Sequence, residues 1–190
     1  TTTTVTTSPT GTLILNSERR GEWIFPPATN AGIQPEGYSF YMMPGSIIRN
    51  IRLKGPMPGF LDYNFDIQLS AGINVIGEND QSTHFLYKIL NCEIYNFSFE
   101  GVYVDAGCDE VEISNCQIHH IKGEGGRTSP KGYGTWIQGK NDNQVGTILN
   151  FNQNIFDECK TAIDLDPNFN HLTVENNSFG RIFFEETINC

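Results

Sequence analysis

Four short stretches of the chain place aromatic, amide and carboxylate side chains at one repeated position. They are Gly72-Ile73-Asn74-Val75, Gly101-Val102-Tyr103-Val104, Gly134-Thr135-Trp136-Ile137 and Ala162-Ile163-Asp164-Leu165. If each stretch is a strand with its apolar residues turned inward, the third position faces outward and reads Asn74, Tyr103, Trp136, Asp164. Two residues further along in the last three copies stand Asp105, Gln138 and Asp166. Aromatic rings on a flat polar ladder suit the apolar face of a pyranose, while amides and carboxylates take its hydroxyls. Asn74, Tyr103, Trp136 and Gln138 are therefore candidate ligand-binding residues, joined by His120, Arg127 and Tyr133 from the adjoining loop. The competing reading packs Tyr103 and Trp136 under loops as a satellite of the core.

The same ladder offers acid–base chemistry. Asp105, Asp164 and Asp166 are the candidate catalytic carboxylates, because an inverting glycosidase needs two carboxyl groups roughly 6.5 to 9.5 Å apart and neighbouring strands supply such separations. His119-His120 invites a metal, but neighbours on an extended strand point to opposite faces, so only a turn would bring both to one ion. No third ligand stands at a recognisable spacing, and no metal site is expected. The glycine-rich loop 123–134 carries Arg127 and Lys131 without a Gly-Lys-Ser/Thr order or a following helix, which makes it a lid or surface loop rather than a phosphate cradle.

The elements that position these residues repeat. Ile89-Leu90-Asn91-Cys92-Glu93-Ile94 recurs as Ile113–Ile118, Phe151–Phe156 and Val174–Phe179, and earlier as Ile48–Leu53. First and sixth positions are apolar and the third is an amide. The leading positions 48, 89, 113, 151 and 174 are separated by 41, 24, 38 and 23 residues, so the short steps set the period and the long ones carry loops. A period in the twenties built from β-branched residues, Asn and Gly, without helical spacing, predicts a β-solenoid whose unit is two short strands. Its fourth position, Ile51, Cys92, Cys116, Asn154, Asn177, then forms an inward stack at a turn, where amides hydrogen-bond along the axis.

The Asn-x-x-apolar turn followed by Gly-apolar-x-apolar resembles the right-handed parallel β-helix proteins of the pectate-lyase-like superfamily over residues 46 to 182. It is also similar to secreted or surface β-helix domains through Asn91-Cys92-x-Ile94, Gly101–Val104, Ile118-His119-His120 and Gly132-Tyr133-Gly134. The resemblance implies an all-β, right-handed parallel β-helix (β-solenoid) of about five to six coils with an irregular N-terminal cap. Such folds host lyases, hydrolases, epimerases, adhesins and inert scaffolds alike. Residues 1–11 form a Thr-rich N-terminal segment, 12–45 the cap or irregular first coil, and 46–190 the β-helix. Inserts at 54–71 and 119–133 fall in one slot of the repeat, so both leave one edge and would flank a groove. No amphipathic capping helix follows Phe179, so the tail must cover the last coil or leave that end for a partner.

Charge narrows the partners. With 22 acidic against 12 basic residues, the formal charge of −10 repels nucleic acid, and no basic run offsets it. Acidic polysaccharides would be repelled unless cations such as Ca²⁺ bridged carboxylate to carboxylate, and no other cofactor is expected. No window has the ~18 apolar residues of a membrane span. The expected partners are a polysaccharide or cell-surface glycan, with end-to-end self-association through uncapped coils as a further route. Five cysteines are an odd number, and parallel stacking of Cys92 over Cys116 disfavours a disulfide, so free buried thiols are expected. The leading expectation is a secreted or cell-surface module with a structural or polysaccharide-binding role. A polysaccharide hydrolase, lyase or epimerase and a self-assembling extracellular filament subunit are the alternatives.

Overall fold

The computed structural model describes residues 12–15, 21–24, 40–55, 71–77, 85–97, 99–121, 132–138, 148–166, 171–182 and 188–189. Every element among them is a strand, so no helix long and apolar enough to cross a membrane is present there. The chain opens with β1 (Thr12–Leu15) and β2 (Gly21–Ile24). The first coil holds β3 (Phe40–Met42), β4 (Ile47–Arg49) and β5 (Ile51–Lys54), and the second β6 (Ala71–Val75), β7 (Leu86–Leu90) and β8 (Glu93–Tyr95). The third holds β9 (Glu100–Val104), β10 (Glu110–Ser114) and β11 (Gln117–Ile121); the fourth β12 (Tyr133–Ile137), β13 (Ile148–Asn152) and β14 (Ile155–Cys159). The fifth holds β15 (Thr161–Leu165), β16 (His171–Glu175) and β17 (Ser178–Phe179), and β18 (Ile188–Asn189) follows.

Corresponding strands stack into three sheets: β1-β2-β5-β8-β11-β14-β17, β4-β7-β10-β13-β16 and β3-β6-β9-β12-β15-β18. All strand pairings are parallel except β1 with β2. The chain is a parallel β-helix of five three-stranded coils, extended by β2 and β1 at one end and by β18 at the other.

Each coil therefore has three strands where the repeat predicted two. The six-residue motif is a corner: its first residues end one strand, its third takes a left-handed conformation and its last begin the next. Asn50, Asn91, Asn115, Gln153 and Asn176 all stand there with φ between 54° and 56°. Asparagine enters that region more readily than most residues, and at Gln153 the corner imposes it on a longer amide. The strand before the corner escaped notice because its outward positions vary freely, as in Leu86, Lys88, Glu110 and Glu112.

Inside the corner, Asn154 Nδ2 donates to the Ile113 carbonyl at 2.7 Å and Asn177 Nδ2 to that of Phe151 at 2.9 Å. Their Oδ1 atoms accept from the backbone N–H of Cys116 and of Asn154, at 2.9 and 2.8 Å. One coil earlier thiols replace amides: Cys92 N–H donates to Cys116 Sγ at 3.4 Å, and Cys116 Sγ lies 3.4 Å from the Ile89 carbonyl. The ladder satisfies backbone groups that the stack would otherwise strand away from water. Cys92, Cys108, Cys116 and Cys159 are buried thiols that form no disulfide. Cys159 ends β14.

The core is one column. Leu53, Ile94, Ile118 and Phe156 stack in register and are fully buried, and Phe179 continues the row with its ring 5.6 Å from that of Phe156. The connections β5–β6 and β11–β12 turn the same corner, from the first sheet to the third; most of both inserts, Arg127 included, lies outside the described residues. The tail returns to the last coils, with Ile182 bridging Cys159 and β18 pairing with β15.

Candidate functional site

The outer face of the third sheet carries the predicted ladder in register. Tyr41, Asn74, Tyr103, Trp136, Asp164 and Asn189 are successive partners across six strands. Beside them runs a second row, Ala71, Glu100, Tyr133 and Thr161. A third continues past the strand ends: the N–H groups of Asp105, Gln138 and Asp166 donate to the carbonyls of Val75, Val104 and Ile137 at 3.0, 2.9 and 3.0 Å. The second residue of β6, β9 and β12 is a close-approach glycine, with Ala162 in its place in β15. A Cβ on Gly101 would lie 2.6 Å from the Gly134 carbonyl oxygen and from Ile118 Cγ2, so no side chain fits between the rows of Glu100 and Val102.

Trp136 stands at the centre of an aromatic cluster. Its ring lies 5.2 Å from Tyr103, 6.0 Å from Tyr133 and 6.2 Å, edge on, from Phe99. Around it sit carboxylates. Glu100 is 2% and Asp164 8% exposed, both far below what an unassisted surface acid would show. Burial raises the Tyr133 phenol, and the charges of Asp164, Glu100 and Asp166 and a hydrogen bond to Asp164 raise it further. Burial also leads in pushing Tyr103 up to about 12, followed by Asp105, Glu100, Asp166 and Cys108. Both phenols are thus held as neutral donors, and Tyr103 donates to Gln138 Oε1. Asn74 Oδ1 is buried without a hydrogen-bond partner among the described residues. The face combines ring surface, hydroxyl donors and carboxylate acceptors.

Asp105 and Asp166 share a row two coils apart, which sets their backbones roughly 9.6 Å from each other. That is close to the upper limit for an inverting pair of carboxylates. Among the described residues no group of three or more His, Cys, Asp or Glu side chains is placed to hold a metal ion.

His120 belongs elsewhere. It lies on β11 in the first sheet, and its φ of 57° reverses the strand locally. The imidazoles of His119 and His120 consequently converge, with Nδ1 atoms 2.5 Å apart, where an extended strand would send them to opposite faces. Glu158 takes the same left-handed position one coil on, with φ 53°. His119 also contacts Glu93, with Nε2 3.3 Å from Oε1.

Glu100 and Phe99 escape a reading of the sequence, because they precede the Gly-apolar pattern and count there as turn. The available signal was alignment: Glu100 before Gly101 matches Tyr133 before Gly134. No protein-family model, curated protein or solved structure matches the chain.

Proposed function

We propose that the chain is a carbohydrate-binding β-helix module of the secreted or cell-surface kind, and that the outer face of the third sheet is its binding surface. The observation that carries this reading is Trp136, set in register between Tyr103 and Asp164 and ringed by Tyr103, Tyr133 and Phe99 beside two buried carboxylates. A tryptophan on the outward row of a sheet has no core to fill, and stacking on a sugar ring gives it a use. The parallel β-helix fold, the left-handed Asn corner and the Gly-apolar strand support kinship with the pectate-lyase-like superfamily. Glu100, Asp105, Asp164 and Asp166 favour neutral glycans, or acidic ones bridged by Ca²⁺, over free polyanions.

Titration calorimetry against a panel of neutral and acidic oligosaccharides tests the reading. Trp136→Ala should weaken binding about tenfold, or about 1.4 kcal/mol, with the melting temperature nearly unchanged. A large drop in stability with no effect on any ligand would make the ring a satellite of the core and end the proposal.

A polysaccharide-processing enzyme is the second reading, favoured by the Tyr133–Asp164 hydrogen bond beside Glu100. Product release from the same panel, abolished by Asp164→Asn while binding persists, would establish it.

A further inference from the structure

We propose that His119 and His120 form a binding site for one transition-metal ion on the outer face of the first sheet, away from the glycan-binding surface. The left-handed backbone of His120 places both imidazoles on one side, with their Nδ1 atoms 2.5 Å apart and their rings at 71°. Each far nitrogen faces a carboxylate from an adjacent coil. His119 Nε2 is 3.3 Å from Glu93 Oε1, and His120 Nε2 is 2.9 Å from Glu158 Oε2, an ion-pair contact off the line of a hydrogen bond. The His119 contact is a hydrogen bond, so His119 Nε2 carries the proton and donates to Glu93, which leaves its Nδ1 bare toward His120. Without a metal the two Nδ1 atoms share a hydrogen bond, His120 N–H to the bare nitrogen of His119; a metal ion would displace that one proton and take both Nδ1 lone pairs.

The surroundings are those of a metal site's outer shell, where carboxylates hold the ligating imidazoles by their other nitrogen. The carboxylates are anchored in turn. Arg52 Nε lies 2.5 Å from Glu93 Oε2, and Arg181 pairs with Glu158, whose side chain is only 5% exposed. Tyr95 stacks flat on His119, with centroids 5.0 Å apart and planes at 8°, and fixes the ring. Glu93, Asp157 and Glu158 against Arg52 and Arg181 leave one local negative charge, which favours a cation over an empty pair of neutral rings.

Two imidazole nitrogens select Zn²⁺, Ni²⁺ or Cu²⁺ over Ca²⁺ and Mg²⁺, which take oxygen ligands. Tetrahedral bonds of about 2.0 to 2.1 Å require the nitrogens to be about 3.3 Å apart, reached by a small rotation of either ring. The remaining positions fall to water or to an added ligand.

The test uses the full chain with Cys190→Ser, which removes the one thiol outside the described residues. Titration with Cu²⁺ followed by electron paramagnetic resonance should show one ion per chain with coupling to two nitrogens. His119→Gln and His120→Gln should each abolish that signal, and Glu158→Gln should weaken binding about 10- to 100-fold. Circular dichroism and thermal melts confirm that each variant is folded. If His120→Gln does not fold, Glu158→Gln and a Zn²⁺ competition assay carry the test. No saturable binding, a shared proton between the rings without any bound metal, or binding that survives His119→Gln with His120→Gln would overturn the proposal.

Discussion

Tyr103 and Trp136 share an outward row, yet neither behaves as an ordinary surface ring, because buried acids close around them. The clearest consequence is at Tyr103, whose phenol is pushed up to about 12 by burial first and then by Asp105, Glu100, Asp166 and Cys108. A raised folded value means that the unfolded phenol loses its proton first, so this contribution to stability is complete below pH 10 and lost as pH rises toward 12. Absorbance titration should show one tyrosine ionising about two units late, and Asp105→Asn should bring it back toward 10. A Tyr103 that titrates with the exposed phenols would show that the carboxylates do not crowd it. The ladder itself was legible from sequence because a glycine or alanine fixes the phase of each strand, so Asn74, Tyr103, Trp136 and Asp164 fall outward together. The convergence of His119 and His120 was not, since histidine enters the left-handed region only as a tendency and this position lies inside an otherwise extended strand, where no repeat marks it.

At the scale of strands and corners, two rows resist truncation for different reasons. Ile118 stacks between Ile94 and Phe156 with no exposure, so Ile118→Ala opens a cavity that rigid neighbouring coils cannot fill and should cost about 2 to 5 kcal/mol in urea unfolding. A loss below about half a kcal/mol would mean that the column is not tightly packed there. Asn154→Ala should cost about 1 to 3 kcal/mol, because the Cys116 N–H and the Ile113 carbonyl lose their partners deep in the corner. Replacing the preceding rung by Cys116→Asn restores amide chemistry and should cost less than Asn154→Ala, as compared by thermal melts. The corner residues were visible in sequence as a recurring amide. The strand ahead of each corner was not, because its outward residues tolerate Leu, Lys and Glu alike and leave only a two-residue inward signal such as Tyr87 and Ile89.

The whole molecule is a stack whose ends differ. One end carries the antiparallel β1–β2 pair and the other the returning tail, with β18 on β15. Leu172, Val174, Phe179 and Ile182 remain only partly buried at that end. Deleting residues 183–190 removes β18 and uncovers the edge of β15, so light scattering should report association or lowered solubility. A monodisperse, unchanged species would show that the tail protects nothing. Period and handed resemblance gave the stack in outline, while the way its ends close depended on long-range pairing that no repeat encodes. The register also has a mechanical side. Successive coils are joined like links in series, by backbone hydrogen bonds lying along the axis. The first and second coils pair over three residues in each sheet, whereas the second and third pair over four in the third sheet and five in the second. Tension applied between the first coil and the fifth should therefore part the molecule at that first seam, leaving the coils that bear Tyr103, Trp136 and Asp164 intact under load.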